Sequence, residues 1–187
     1  KSINEVKARN IFGKVDYEVL PGSSDDLKVI NINVTEKATG EIIAGAGIGT
    51  DGTSFMVSIQ ENNWLGRGIK LVSELNLSES KISGDILVSN PNYNYSGNAA
   101  YASLDVSSTD RSNSSGFKSS KTGFELGTSF EQYERFFISP NIDLAFEDIE
   151  VDDTASTAVK NMEGNFFNID LGYSLVKDNR NQKYRPT

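Results

Sequence analysis

Phe167-Asn168-Ile169-Asp170-Leu171-Gly172-Tyr173-Ser174-Leu175 is the stretch that decides the fold. Every second residue is apolar, and Asn, Asp, Gly and Ser lie between. Successive side chains of an extended chain point to opposite faces, so this is a strand with one apolar face and one wet face. The same alternation returns upstream. Phe136–Phe146 sets Phe136, Ile138, Ile142, Leu144 and Phe146 against Asp143 and Glu147. Phe124–Phe130 sets Phe124, Leu126 and Phe130 against Glu125 and Ser129. Ala100–Val106, Ile82–Val88, Ile69–Leu77 and Thr53–Gln60 alternate in the same way. Gly, Asn, Ser, Asp and Pro separate these segments, the pattern of consecutive antiparallel strands. After Gly40 no convincing helix is found.

The polar faces carry Glu74, Asp85, Asp105, Glu125, Asp143, Glu147 and Asp170. A strand buried on both sides could not hold such a row of unpaired carboxylates. One face is therefore wet. A soluble sandwich meets this with polar faces outward. A membrane barrel meets it inside out, with apolar faces toward lipid. Periodicity alone does not choose between them. The connections alternate in length: Thr50-Asp51-Gly52 is short, but Asp110–Lys121 and Val151–Gly164 read as long loops, and between these Asn62–Gly66, Asn90–Asn98 and Glu131–Glu134 read as tighter turns. In an antiparallel series every second connection lies at the same end. Long loops at one end and short turns at the other match the outer-membrane barrel. Trp64, Tyr93, Tyr95, Tyr133, Phe136 and Phe137 gather near the tighter turns. They fit either an interfacial aromatic girdle or core aromatics at strand ends.

The first 37 residues have a different character. Ile3 and Val6 share a helical face over residues 2–10, and Gly13 closes that helix. Val15, Tyr17 and Val19 then alternate with Asp16 and Glu18. Pro21-Gly22-Ser23-Ser24-Asp25-Asp26 is turn chemistry, and a second strand runs to Thr35-Glu36-Lys37. Helix, strand, turn, strand is half of a small α+β domain, too small to hold a core alone.

The chain has 187 residues, no Cys, no His and a formal charge of -8. The missing Cys excludes disulfides, thiolate metal sites and cysteine nucleophiles. The missing His removes the commonest general base and transition-metal ligand. An acidic chain without a Lys/Arg cluster is not built to neutralise nucleic-acid phosphates. Arg180, Lys183 and Arg185 are spread among Asn, Gln and Tyr and read as a solvated turn. No apolar run approaches the roughly 20 residues of a membrane-spanning helix. The opening Lys1-Ser2-Ile3-Asn4 is already amphipathic and reads as cut from a longer precursor. No signal peptide is visible.

Sites for chemistry are sparse. Asp25-Asp26 and Asp152-Asp153 lack the ligand spacing of a Ca²⁺ loop and read as solvated turns. Gly45-Ala46-Gly47-Ile48-Gly49 is glycine-rich, but no helix follows and no Lys stands at phosphate-loop spacing. No catalytic residue, metal site or cofactor is expected, and the chain reads as a non-enzyme. Glycine costs a strand entropy and packs nothing. Gly40, Gly45, Gly47 and Gly49 are thus either a flexible linker with close backbone approach or a first strand that pairs poorly. A poorly paired edge can offer its backbone groups to another strand.

Several motifs stand in a recognisable order. Asn10-Ile11-Phe12-Gly13-Lys14-Val15 precedes Pro21-Gly22, and Val34-Thr35-Glu36-Lys37-Ala38-Thr39-Gly40 follows. Next come Gly45–Thr50 and then Gln60-Glu61-Asn62-Asn63-Trp64-Leu65-Gly66-Arg67-Gly68. Asn90-Pro91 and Asp178-Asn179-Arg180 through Pro186-Thr187 complete the series. Together they resemble the BamA family of POTRA-barrel proteins, the outer-membrane β-barrel assembly factors. The N-W-L-G-x-G turn at Asn63–Gly68 carries the strongest likeness; residues 100–165 match by strand pattern only.

The resemblance implies a mainly β fold. Residues 1–38 would be the C-terminal part of the last POTRA domain, in the periplasm. Residues 40–187 would be the N-terminal half of an outer-membrane β-barrel, an antiparallel meander of about eight strands. It implies a surface-exposed Gram-negative protein that folds and inserts other barrels. Its partners would be unfolded outer-membrane proteins, accessory lipoproteins and outer-membrane lipid, with no nucleic acid. Ile43, Ala44, Gly45, Ala46, Gly47, Ile48 and Gly49 would be the edge on which a client strand pairs, by position rather than by side chain. Asn63, Trp64, Leu65 and Gly66 would be the periplasmic turn at the membrane boundary. A related POTRA-barrel secretion transporter and a passive porin-like barrel are the alternatives.

Overall fold

The computed structural model describes residues 3, 6–7, 11–24, 26–49 and 52–179. Arg180, Lys183, Arg185 and the Tyr184–Thr187 motif lie outside the described residues, as do Asn10, Asp25, Thr50 and Asp51. The chain falls into two compact units, divided after Gly40.

In the first unit Ile3, Val6 and Lys7 are helical, within the span expected to be a helix. Strands β1 (Phe12–Pro21) and β2 (Lys28–Glu36) form an antiparallel hairpin that places Val15 opposite Val34 and Val19 opposite Ile30. The turn is held by the Gly22 N–H donating to the Leu27 carbonyl at 2.9 Å. Asn31 Nδ2 donates across the hairpin to Glu18 Oε1 at 3.1 Å. Ile11 and Val15 are buried, while Tyr17, Val19, Ile30 and Ile32 remain exposed. A two-stranded hairpin is marginal by itself in water.

The second unit contains one eight-stranded antiparallel sheet: β3 (Gly40–Gly49), β4 (Gly52–Trp64), β5 (Ile69–Ser78), β6 (Lys81–Tyr93), β7 (Asn98–Asp110), β8 (Phe117–Tyr133), β9 (Phe136–Val151) and β10 (Gly164–Lys177). Each strand lies beside its sequence neighbour, in the order β10-β9-β8-β7-β6-β5-β4-β3. The chain is therefore mainly β and its sheet is an uncrossed antiparallel meander, as the alternation predicted.

The strands are longer than their apolar faces. β8 begins at Phe117, so Lys118-Ser119-Ser120-Lys121 is strand where the sequence suggested loop, and Thr122 continues it. Nothing in that polar run alternates; its conformation comes from pairing with Val106–Asp110 on one side and Phe146–Glu150 on the other. Two further extensions, to Trp64 and Tyr93, cover residues that read as turn. The β7–β8 connection shortens to a single helical turn, Ser112–Ser115, before Gly116 in the left-handed conformation.

Among the described residues of the second unit, no second layer packs on this sheet. Among those residues the buried ones are Ser58, Ala145 and two glycines, Gly116 and Gly123. Ala145 fits because Gly123 lies directly opposite on β8.

Candidate functional site: an outward apolar wall, its turns and its free edge

Register fixes which residues share a face. Glu74 stands opposite Asp85, and Asp85 opposite Asp105. Two residues along, Ser103 stands opposite Glu125, Glu125 opposite Asp143, and Asp143 opposite Asp170. All six acids lie on one face, in two adjoining rows. That face is the sheltered one: Asp85, Asp105, Glu125 and Asp143 are half-buried. The other face carries Leu104, Val106, Phe124, Leu126, Phe146, Phe167, Ile169 and Leu171, which are exposed. A soluble sandwich would show the reverse. The sheet curls around its polar side and turns its apolar side out, which is the arrangement of a lipid-facing barrel wall.

The apolar band has a definite height. On β10 it runs from Phe167 to Leu175, and on β9 from Ile138 to Phe146. Nine residues at about 3.3 Å each, tilted about 40°, rise about 23 Å, close to the apolar band of membrane barrels. Beyond it the same outward face becomes polar, with Asp110, Lys118, Asp148 and Glu150. Lys118 Nζ lies 3.0 Å from Asp110 Oδ2, and Asp110 Oδ1 accepts from the Ser112 hydroxyl at 2.6 Å. The strands thus continue as a polar sheet past the level of the apolar band.

The inner wall is hydrogen-bonded and notched. Tyr101 Oη donates to Glu125 Oε1 at 2.6 Å, and Asn141 Nδ2 donates to the same oxygen at 3.0 Å. A Cβ on Gly127 would overlap the Tyr101 ring, one on Gly123 the Asp105 carboxylate, and one on Gly172 the Asn141 amide. These glycines are the spaces into which the long inner side chains lie. Among the described residues, no group of three or more His, Asp or Glu is placed to hold a metal ion.

The tight turns share a construction. A register shift precedes each one: between Glu61 and Trp64, between Asn90 and Tyr93, and between Glu131 and Tyr133. Without the shifts, strict alternation would send Trp64, Tyr93 and Tyr133 to the inner face. With them, Trp64 pairs Ile69, Tyr93 pairs Asn98 and Tyr133 pairs Phe136, all on the outward side. These β-bulges re-aim three aromatics to the outward face. Phe137 keeps the inward parity of Ser139, so the expected girdle loses that member. The core alternative for the aromatics falls, because Trp64, Tyr93 and Tyr133 are 38%, 53% and 71% exposed.

Each bulge has a side chain to accept a freed backbone N–H. Glu61 Oε1 accepts from Asn63 N at 2.7 Å, Asn90 Oδ1 from Asn92 N at 3.0 Å, and Glu131 Oε1 from Arg135 N at 2.6 Å. The first two turns match further. Asn63 Oδ1 accepts from Gly68 N at 2.7 Å, and Asn92 Oδ1 from Gly97 N at 2.8 Å. Leu65, Gly66 and Gly68 have positive φ, and so do Asn94, Tyr95 and Gly97. Asn92-Tyr93-Asn94-Tyr95-Ser96-Gly97 is therefore a second copy of the Asn63-Trp64-Leu65-Gly66-Arg67-Gly68 turn. Sequence reading missed it because only the Asn, an aromatic and the last Gly are shared; their spacing was the available signal.

At the sheet's end lies β3, beside β4 on one side and bordered by no other described strand on the other. All ten of its residues are exposed. Ile43–Gly49 thus forms part of one continuous edge strand. Gly45 and Gly49 have no steric reason to be glycine, and Gly47 has only one near side-chain atom. A Cβ on Gly45 would meet only Met56 Cε at 3.8 Å, one on Gly47 would meet Ser54 Oγ at 3.3 Å, and one on Gly49 would meet nothing. None of the three has positive φ. A linker with close backbone approach is not what these residues form.

Comparison with known proteins agrees with this geometry. A family profile described as the Omp85 superfamily domain matches residues 63–187. The fold matches a crystal structure of BamA from Haemophilus ducreyi lacking POTRA domains 1–3, with a TM-score of 0.75 and 18% sequence identity. The match covers 99% of this chain and 38% of that one. At that identity the likeness is one of fold, and the chain spans well under half of the structure it matches.

Proposed function

Since the chain belongs to the Omp85 superfamily, an outer-membrane β-barrel superfamily, we propose that it is part of a BamA-like factor that folds and inserts other barrels into the bacterial outer membrane, and that β3 is the edge on which a client strand pairs. The observation that carries this reading is the glycine run of β3. Neither packing, nor a turn, nor positive φ requires glycine at 45 or 49, and at 47 only the Ser54 hydroxyl stands close, so what glycine contributes is weakness. Each costs a strand entropy and side-chain packing. A closing partner would be held loosely there, and an incoming strand could replace it by backbone hydrogen bonds alone. No catalytic residue and no cofactor enters such a process.

The other assignments follow. Residues 1–38 would be the end of a POTRA domain on the periplasmic side, receiving unfolded outer-membrane proteins and accessory lipoproteins. Trp64, Tyr93 and Tyr133 would lie in the periplasmic headgroup layer, where aromatic side chains place an apolar body and a polar tip. Asn63 and Gly66 would shape the turn that presents Trp64 and Leu65.

The test uses the full-length parent protein. A disulfide between a Cys at Ala46 and a Cys in the barrel's last strand should block insertion of client barrels, and reduction should restore it. Insertion by the locked protein at the unlocked rate would sink the edge assignment. Gly45→Val with Gly47→Val should strengthen β3, since Gly45 has room and only the Ser54 side chain stands near Gly47, and should lower insertion several-fold with the barrel still folded.

A further inference from the structure

Near the tight-turn end the outward wall is hollow. A groove of about 700 Å³ crosses it from β5 to β9. Its floor is β7, where the outward residues are Ala100 and Ala102; Val88, Leu126 and Ile142 form the sides, and Tyr93 stands at the foot. Both alanines are half-buried, whereas Leu104 and Val106, higher on the same face of β7, are 44% and 46% exposed. The groove's lining is mostly apolar. Thr128 turns its Oγ1 to the Ala99 carbonyl at 2.7 Å, the Tyr101 hydroxyl donates to Glu125 at 2.6 Å, and the Asn90 side-chain Oδ1 accepts from the Asn92 N–H at 3.0 Å.

We propose that this groove seats an acyl chain of a phospholipid from the periplasmic leaflet. The inference rests on the outer-membrane reading above. A hollow in a lipid-facing wall does not stay empty, because its lining would lose dispersion contacts. Water is a poor occupant, since the lining is mostly apolar, the Thr128 and Tyr101 hydroxyls are already paired, and a trapped water needs two to four partners. The groove is continuous with the apolar band, so the chain that covers the band also reaches the groove. Its volume is that of a ligand pocket, about 300–1,000 Å³. The foot opens beside Tyr93, in the aromatic belt of the tight-turn end, and there the neighbouring headgroups belong to the periplasmic leaflet. A chain seated between Val88 and Leu126 is held on two sides, whereas a chain passing Leu104 or Val106 rests on a convex surface.

The experiment places a benzophenone side chain at Ala102 and, separately, at Val106 in the full-length parent. Irradiation is done in membranes and again after exhaustive detergent exchange. Phospholipid adducts are expected at both positions in membranes, and after exchange only at Ala102. Equal loss at both positions would overturn the groove, because lipid would then contact it no longer than it contacts the rest of the wall. A protein adduct at Ala102 would overturn it too, by naming a different occupant. No lipid adduct at either position in membranes would overturn the lipid-facing reading itself. Ala102→Leu, which fills the floor, should lower the phospholipid retained after exchange about tenfold while heat-dependent gel mobility still reports a folded barrel. Undiminished retention in that folded variant would also overturn the groove.

Discussion

Gly127 lies under the Tyr101 ring, and the ring's hydroxyl reaches Glu125 at 2.6 Å. The glycine is there because its neighbour needs the space, an arrangement known to compensate for glycine's poor strand propensity. Gly127→Ala should therefore cost about 1–3 kcal/mol by overpacking, read as a lower urea midpoint of the refolded parent barrel. Tyr101→Ala should cost stability by losing the ring and one donor to Glu125. Combined, the two should cost less than their sum by at least about 0.5 kcal/mol, since the alanine no longer meets a ring. Strict additivity would show that ring and glycine do not share the site. A second residue-scale prediction concerns the turns. Asn63→Ala and Asn92→Ala each remove the acceptor for one glycine N–H, and each should cost about 1 kcal/mol. A silent Asn92→Ala beside a costly Asn63→Ala would refute the equivalence of the two turns.

Strands announce themselves through alternation, and this chain's sheet was legible wherever one face was apolar. Phe167–Leu175 and Phe136–Phe146 read correctly because lipid and lumen impose opposite demands on neighbouring residues. Two kinds of segment escaped. Lys118–Thr122 is polar on both faces, and only the strands beside it make it extended. The bulges escaped because a register shift breaks the alternation on which reading depends; Trp64, Tyr93 and Tyr133 fall on the wrong parity for their true face. Which side faced out was also illegible, because a sandwich and a barrel have the same period. Ser103 and Leu104 separate them by experiment. Leu104→Lys should cost about 2–4 kcal/mol in a bilayer, as a charge near the midplane of the outward face does. Ser103→Lys, which stands opposite Glu125, should stay within about 0.5 kcal/mol. Comparing refolding midpoints into lipid vesicles checks both, and equal penalties would reverse the assignment of faces.

Taken whole, the barrel wall gathers much of the chain's net charge of -8 on its inner side. Glu74, Asp85 and Asp105 are cross-strand neighbours in one row, and like charges directly opposite are destabilising by about 0.2–1 kcal/mol per pair. Asp85 has such a neighbour on both sides. Asp85→Asn should therefore raise the urea midpoint at low ionic strength, by an amount equivalent to about 0.5–1 kcal/mol. The gain should shrink at 1 M salt, where the screening length is about 3 Å. A gain unchanged by salt would point to a hydrogen bond of the new amide rather than to relieved repulsion. The three bulges matter at this scale as well. A strict two-residue repeat is an ambiguous ruler, since a slip by two lays apolar on apolar again. A bulge is a mark on that ruler that cannot slide: a slipped hairpin would strand its side-chain acceptor and swing its aromatic into the lumen. With one mark on alternate hairpins, the wall is graduated like a vernier, in which the alignment of each marked pair of strands is fixed within that pair.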